Sequence, residues 1–316
     1  MISVNNLSRL FGEHKAVSDL SFEVKPGDVV GFLGPNGAGK STTMKMLTGF
    51  LAPTSGEVLV DGLSINDSRY ATSIKQSIGY LPEGAPAYAD MTVYQFLHFI
   101  AQARAIPIKS REEAIIKVVE QVDLGSVLNK QIDNLSKGFK RRVGLAQAII
   151  HDPKILILDE PTDGLDPNQK HQVRQLIADL AKDKIVIVST HILEEVTAVC
   201  NRVIIIANGE KRFDDTPTEL LSMSPLHNAV TIKLSYLSDI SGLLEIEGVA
   251  DLRHDRDTNR VTIYPEPGVE IISAVSAHIQ STQMPVDMIF PEQGKLDEVF
   301  RLITQSNNSS ESKGGA

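Results

Sequence analysis

The chain has 316 residues, of which 42% are hydrophobic and 22% are charged, and its formal net charge is −9. This length predicts one large or two moderate domains with ample apolar core, and the composition is that of an ordinary globular protein. The acidic balance argues against a broad nucleic-acid-binding face, because neutralising phosphates requires a surplus of Lys and Arg.

Disulfides and membrane spans are not expected. Cys200 is the single cysteine, so an intrachain disulfide or cysteine metal cluster is excluded, which suits a reducing cytosol. Residues 1–6 lack a basic patch followed by an apolar stretch, and we therefore expect no signal peptide. The longest apolar runs, such as 155–158 and 203–207, fall far short of the roughly 20 residues of a membrane span. We expect contact with a membrane only through a partner.

The first 62 residues predict an antiparallel region followed by a phosphate loop. Residues 2–4 and 16–24 alternate apolar and polar side chains, and 56–62 is expected to join them. Between a buried strand over 28–33 and a helix that begins near residue 42, the chain satisfies the pattern G-x-x-x-x-G-K-[ST]. Such a loop turns backbone N–H groups toward a phosphate chain, and the helix adds its positive N-terminal end.

This motif predicts binding of a nucleoside triphosphate. Lys40 is placed to reach the β- and γ-phosphates, and Ser41 is placed to hold Mg²⁺. A glycine-rich turn that binds nothing is the weaker interpretation, because a strand and a helix flank the loop as the motif requires. The residues predicted to bind the nucleotide here are Gly34, Pro35, Asn36, Gly37, Ala38, Gly39, Lys40, Ser41 and Thr42.

The middle of the chain predicts helices and then a parallel sheet. Apolar residues over 92–150 follow helical spacing. A basic cluster there consists of Lys137, Lys140, Arg141 and Arg142, for which a solvated helix face is the simpler interpretation. Continuous apolar runs then predict strands covered on both faces, separated by helices, which is typical of an α/β parallel sheet. These runs are 155–158, 185–188 and 203–206.

Two carboxylates follow the first of those strands. Asp159 is placed to reach Mg²⁺, and Glu160 is placed to polarise a water for attack on the γ-phosphate. A pair of surface acids is the weaker alternative, given the phosphate loop upstream.

Further motifs resemble those of ATP-binding-cassette (ABC) ATPases. Residues 135–139, Leu-Ser-Lys-Gly-Phe, resemble the family's signature motif; residues 163–166, Asp-Gly-Leu-Asp, resemble its D-loop; and His191 resembles its switch histidine. Together with the phosphate loop and the Glu83 loop, this set runs through residues 1 to about 215, about two-thirds of the chain. The resemblance implies an ABC cassette with a parallel-sheet core, an antiparallel β subdomain and a helical subdomain.

The resemblance also implies how ATP is held. In this family two cassettes pair head to tail, so Ser136 and Gly138 would face the γ-phosphate bound to the partner cassette, with Asp166 of the D-loop also at the nucleotide. His191 would contact the γ-phosphate. Phe11 falls where the family places an aromatic residue that stacks on adenine, although an ordinary core role is the alternative.

The sequence departs from the family pattern at two places. Glu83 stands where the family usually has Gln, and its carboxylate can still bind Mg²⁺, a hard ion that prefers oxygen. The added negative charge leaves the Mg²⁺ affinity and the turnover rate open. In the signature, Lys137 and Phe139 replace the usual Gly and Gln, a pair that resembles exporter and gliding-motility-type cassettes coupled to separate membrane subunits.

The function implied is ATP hydrolysis that energises a separate permease, with a second cassette as the homodimeric partner and a position at the inner face of the cell membrane. An apolar loop with Pro86, Tyr88 and Met91 would receive a helix of the permease, or packs on its own domain. The alternative function is a soluble cassette ATPase acting on ribosomes or DNA. It is disfavoured because the chain has one cassette, no coiled-coil insertion and an acidic balance, and no nucleic acid is expected as a partner.

The domain organisation follows from these assignments. We predict an ABC ATPase domain over 1–215, with its helical subdomain at about 86–150, and a linker over 216–228. Residues 229–304 predict a small α+β module in the order β-α-β-β-α-β, which suggests a ferredoxin-like fold. A small-molecule sensor, a dimer contact and a brace are open roles for it. A tail over 305–316, rich in Ser, Asn and Gly, is expected to be disordered.

Overall fold

A computed structural model describes residues 1–85 and 87–305. The chain divides into two compact units, the first comprising Met1–Pro217 and the second beginning at Thr218. Within the described residues, no helix is both long and apolar enough to cross a membrane.

The first unit contains an antiparallel sheet and a larger, mostly parallel sheet. Its strands are β1 (Ile2–Phe11), β2 (His14–Val24), β3 (Val29–Leu33), β4 (Ser55–Val60), β5 (Leu63–Ser64), β6 (Ile78–Leu81), β7 (Ile155–Asp159), β8 (Ile185–Thr190), β9 (Arg202–Ala207) and β10 (Glu210–Asp215). Its helices are α1 (Lys40–Leu47), α2 (Ala71–Ser77), α3 (Val93–Ala103), α4 (Ile108–Gln121), α5 (Lys137–Ile149), α6 (Pro167–Leu180) and α7 (Leu193–Val199).

The antiparallel sheet has the order β2-β1-β4-β5. The larger sheet has the order β10-β9-β3-β8-β7-β6, and all its neighbours pair in parallel except β9 and β10. Every residue of β3, β7 and β8 is buried, as expected for apolar strands covered on both faces. The predicted parallel sheet is therefore confirmed, and its strands carry the phosphate loop and the two carboxylates at their carboxyl ends.

Local sequence explains where several helices begin. Thr92 and Gln95 form a reciprocal capping box at the start of α3. The hydroxyl of Ser136 caps α5 and the carboxylate of Asp166 caps α6, where Pro167 occupies the first turn. Two of these capping residues belong to motifs predicted from the sequence: Ser136 to the signature and Asp166 to the D-loop.

The interpretation of the basic cluster as a solvated face is wrong for two of its members. Arg141 is 5% exposed and Arg142 is 6% exposed. Arg141 lies three residues after the buried Gly138 and four before the buried Leu145, so helical spacing places it on the covered face of α5. A long side chain with fixed donors can be buried when backbone carbonyls accept its hydrogen bonds.

The second unit is built on a four-stranded antiparallel sheet of order β12-β13-β11-β14. The remaining elements are α8 (Pro217–Ser222), which begins at the boundary, β11 (His227–Leu234), β12 (Val249–Asp255), β13 (Arg260–Pro265), α9 (Ile272–Thr282), β14 (Val286–Gln293) and α10 (Leu296–Gln305). An aliphatic core that includes Val230, Ile263 and Val275 holds the unit together.

Three details differ from the sequence-based expectation. The first helix of the predicted β-α-β-β-α-β order is only a 3₁₀ helix, Ser241–Glu245, because Gly242 and the Asp239 carboxylate, which accepts from the Ser241 N–H, favour a turn. The segment predicted as a linker contains α8, whose Leu220 is buried. Of the predicted tail, Gln305 ends α10, and residues 306–316 lie outside the described residues, as does Pro86 of the apolar loop.

Candidate nucleotide-binding and hydrolysis site

The phosphate loop connects β3 directly to α1. Gly39 precedes the helix with a φ of 103°, a conformation that favours glycine, and a Cβ there would lie 2.4 Å from the carbonyl oxygen of Ala16. At Gly34, a Cβ would lie 2.4 Å from the carbonyl oxygen of Ile206. Both positions therefore exclude side chains, and the loop closes tightly against neighbouring strands.

The loop borders a cavity of about 420 Å³ that collects most of the predicted site residues. The cavity is lined by Phe11, His14, Ala16, Asn36, Gly37, Gly39, Lys40, Ser41, Thr42, Glu83 and Glu160. Ala38 lies beneath it, 3% exposed, and its carbonyl accepts from the Gly209 N–H at 3.1 Å. The structure thus brings the loop, the Glu83 segment and Glu160 together around one space.

Lys40 is the buried cation of this cavity. Its ammonium donates to the carbonyl oxygens of Gly34 at 2.7 Å and Pro35 at 3.1 Å, which keeps it along the loop. Burial lowers the pKa of Lys40, and the negative charges of Glu160, Asp159 and Glu83 oppose that effect. The ammonium itself can donate charge-assisted hydrogen bonds to an anionic ligand in the cavity.

Asp159 ends β7 and is 1% exposed. Both of its carboxylate oxygens are buried without a hydrogen-bond partner among the described residues. Burial raises the pKa of this carboxyl group, since the charged form has lost its hydration. A buried carboxylate that the protein leaves unsatisfied is a natural ligand for a bound cation.

Glu160 follows Asp159 in a strained turn. Its φ is 53°, which is uncommon for a residue other than glycine, and its N–H donates to the carbonyl oxygen of Ser189 at 2.8 Å. Its Oε1 lies 2.9 Å from Nδ1 of His191, which follows β8 and is half exposed. Burial raises the pKa of Glu160, and the contact with His191 opposes that effect. Neighbouring strands thus pair the predicted base with the predicted switch histidine.

Glu83 and Ser41 also lie close to each other. The Ser41 hydroxyl is 3.4 Å from Oε2 of Glu83. Among residues 1–85 and 87–305, no three His, Cys, Asp or Glu side chains converge to hold a metal by themselves. Any cation here would therefore depend on additional oxygen ligands, such as phosphate oxygens.

Phe11 borders the cavity from the antiparallel sheet. It is the last residue of β1, where it pairs with His14 of β2. Its ring is 48% exposed, and the guanidinium of Arg9 lies 4.7 Å from the ring centroid. Its exposure disfavours the ordinary core role and leaves a π-face available for stacking.

The signature and the D-loop contact each other but do not line the cavity. Ser136 accepts from the Phe139 N–H at 3.4 Å, and Asp166 accepts from the Gln169 N–H at 2.9 Å. A Cβ at Gly138 would lie 2.8 Å from Oε1 of Gln169, so a larger residue there would displace the Gln169 side chain of α6. These three predicted residues are therefore separate from the rest of the site within one chain.

The motif analysis missed a buried carboxylate behind the site. Glu195 in α7 is 5% exposed and accepts hydrogen bonds from the hydroxyls of Thr162 and Thr190 and from the ammonium of Lys170. It thereby connects the segment after Glu160 to the end of β8, next to His191. No sequence pattern distinguishes this glutamate from its exposed neighbour Glu194.

Comparison with known proteins agrees on the family. The sequence profile described as ABC transporter matches residues 17–163. The ABC transporter ATP-binding protein YxlF of Bacillus subtilis (strain 168) is 38% identical over 245 residues, which cover 78% of this chain and 80% of that protein. The Nod factor export ATP-binding protein I of Cupriavidus metallidurans is 35% identical, covering 70% of this chain and 73% of that protein.

A solved structure extends the comparison to a nucleotide-bound state. It is a dimeric, post-hydrolysis state of an ATP-binding cassette bound to ADP and Pi, with a TM-score of 0.64 and 25% identity. The match covers 69% of this chain and 99% of that cassette.

Proposed function

This chain belongs to the family of ABC transporter ATP-binding proteins, and from that premise we propose that it is the ATP-hydrolysing subunit of an exporter whose permease is a separate polypeptide. The chain is an ATPase that binds ATP, acts as a dimer of cassettes and energises a membrane transporter. The export direction is supported by its similarity to a Nod factor export protein and by Lys137 and Phe139 in the signature.

One observation carries the catalytic part of the proposal. Glu160 borders the same cavity as the phosphate loop, and its side chain contacts His191. Glu160 would accept a proton from the attacking water, and His191 would hold the carboxylate in orientation near the γ-phosphate. Lys40 and the loop N–H groups would bind the phosphates, and Phe11 would stack on the adenine.

We propose that Mg²⁺ is held by Ser41, Asp159 and Glu83. The unsatisfied oxygens of Asp159 and the proximity of Ser41 to Glu83 support this assignment, since Mg²⁺ in proteins usually takes one or two carboxylates together with phosphate oxygens. When bound, Mg²⁺ neutralises charge on the β- and γ-phosphates. Ser136, Gly138 and Asp166 would contact ATP on the partner cassette, which fits their position outside the cavity of their own chain.

The remaining assignments extend this proposal. The chain would form a homodimer, and it would reach the inner face of the membrane only through the permease. The half-exposed Tyr88, whose ring contacts Phe96 and Phe99, supports a permease contact at the loop after Glu83. The proposed domains are the ATPase domain over 1–215 and the C-terminal module over 229–304, joined by the segment 216–228. The ferredoxin-like assignment of the C-terminal module is supported by its sheet order β12-β13-β11-β14.

The test is ATP turnover of the purified full-length chain as a function of its concentration. We expect the rate per chain to rise with concentration, because each site is completed by a second cassette. Glu160→Gln should lower kcat by roughly 10²–10⁴-fold and trap an ATP-bound dimer. Glu194→Gln, a change in an exposed glutamate of α7, is the matched control and should retain turnover.

A rate that is independent of concentration and unaffected by Glu160→Gln would contradict the paired-cassette mechanism. Copurification with ribosomes or DNA rather than with membranes would favour the alternative function instead.

A further inference from the structure

Arg141 makes contacts that none of the motifs accounts for. Its guanidinium donates to the backbone carbonyls of Asp159 and Glu160, and to that of Pro82 at 3.3 Å. One buried side chain of α5 therefore joins the turn that carries both carboxylates to the residue that precedes Glu83.

The turn at Glu160 needs such support. A non-glycine residue with a φ of 53° holds that conformation only when its surroundings impose it. The Glu160 N–H is held by Ser189, and its carbonyl is held by Arg141. With both backbone polar groups bound by the protein, the Cα–Cβ bond of Glu160 has a fixed direction, and the residue borders the cavity.

We infer that Arg141 is a positioning residue for ATP hydrolysis, which fixes the backbone of Asp159 and Glu160 relative to the helix that begins after Ser136. This inference rests on the proposed function. Arg141 lies five residues beyond Ser136, which is about 7.5 Å along a helix. The same rigid helix would therefore bind the partner's ATP at its N-terminus and hold the catalytic base of its own cassette. Pairing of the cassettes is thereby connected to the position of that base.

Arg142 provides a matched control. It is equally buried in the same helix, but it contacts Asp123 at 2.9 Å and Gln172 at 3.0 Å, and its guanidinium lies 5.7 Å from the centroid of the Phe139 ring, all outside the cavity. Replacement of either arginine removes a buried cation and its hydrogen bonds, so a general loss of stability should affect both variants. Only an effect on positioning should distinguish Arg141 from Arg142.

The experiment compares Arg141→Met, Arg141→Lys and Arg142→Met in the full-length chain, with kcat, ATP affinity and the thermal midpoint measured for each. We expect Arg141→Met to lower kcat by roughly 100-fold, the cost of a small misplacement of a catalytic group. Its ATP affinity should stay within about twofold of the wild type, because the phosphate loop is unchanged. In Arg141→Lys the ammonium can still donate hydrogen bonds, so this variant should retain part of the kcat that Arg141→Met loses. Arg142→Met should have the wild-type kcat.

A double variant shows whether Arg141→Met lowers kcat by displacing Glu160 or by another route. In the Glu160→Gln background, Arg141→Met should cause little further loss of kcat, because the base that it positions is already absent. The inference would be overturned if Arg141→Met had the same kcat as the wild type, or if Arg141→Met and Arg142→Met lost kcat equally. If Arg141→Met does not fold, Arg141→Lys is compared with Arg142→Lys, and equal rates would overturn it.

Different results would contradict the proposed function itself. It would show as a wild-type chain without ATP turnover, or with turnover that Glu160→Gln leaves intact. An active wild type, an inactive Glu160→Gln and a fully active Arg141→Met would overturn the role of Arg141 alone.

Discussion

The two units of the chain differ in what their interiors contain. Among the described residues, the first unit buries the charged side chains Lys40, Arg141, Arg142, Asp159 and Glu195. The buried polar residues of the second unit are Ser224 and Thr231, and its core cluster is aliphatic. Burying a charge is unfavourable unless it is paired or hydrogen-bonded, so the buried charges of the first unit require partners that the second unit does not need.

The buried charged side chains of the first unit differ in their hydrogen-bond partners. Glu195 has three hydrogen-bond donors, and Lys40 and Arg141 donate to backbone carbonyls. Asp159 differs, because neither of its carboxylate oxygens has a protein partner. Asp159 is the buried carboxylate of the first unit whose two oxygens both lack a hydrogen bond among the described residues, whereas the core of the second unit contains aliphatic side chains.

The largest expected effect on nucleotide binding is that of Lys40→Met. Removal of the buried cation should weaken ATP affinity by roughly 2–5 kcal/mol, the usual cost of losing one partner of a buried charge pair. Isothermal titration with ATP measures this change. Lys45→Met, a substitution of an exposed lysine in the same helix, is the control. Equal affinity in the two variants would contradict a functional reason for burying Lys40.

Ile232→Ala tests whether the second unit serves packing alone. Ile232 is fully buried in the aliphatic core, and its truncation should lower the free energy of unfolding by about 2–5 kcal/mol. Denaturant titration measures this loss, while kcat per folded chain should be unchanged. Leu237→Ala, at a residue that is 64% exposed, should change stability by less than about 0.5 kcal/mol. A lower kcat in folded Ile232→Ala would show that the second unit affects catalysis.

The smallest expected effect is a pH dependence at His151, whose Nε2 lies 3.2 Å from the carbonyl oxygen of Ile78. Burial, assisted by the charge of Arg104, lowers the pKa of His151 to about 4. Because this pKa is below that of an unfolded histidine, near 6.5, the unfolded chain takes up the proton first as the pH falls. The stability that His151 contributes is therefore complete above about pH 6.5 and is lost toward pH 4.

Thermal unfolding of the wild type and His151→Gln between pH 7.5 and 4.5 measures this effect. The midpoint of the variant should fall less steeply, and His171→Gln, an exposed histidine, should follow the wild type. Identical slopes for His151→Gln and the wild type would contradict the assignment.

Much of the site could be predicted because its residues are contiguous and obey local rules. The phosphate loop needs glycines at fixed positions between a strand and a helix, and Asp159 and Glu160 directly follow an apolar strand. Arg141 and Glu195 were not predicted as site residues, because partners such as Pro82 for Arg141 and Thr162 for Glu195 lie 59 and 33 residues away in sequence. Only a folded chain brings such partners together.

The sequence by itself determined the family, the buried parallel strands and the candidate residues for nucleotide binding, since these depend on short-range spacing and apolar patterning. The tertiary structure decided which charges are buried and what they contact. It buried Arg141 and Arg142 of a cluster expected to be solvated, with Arg141 hydrogen-bonded to the turn at Glu160, and it brought His191 to Glu160 across neighbouring strands. The physical reason is that burial and hydrogen-bond partners depend on the packing of distant segments, which spacing along the chain does not encode.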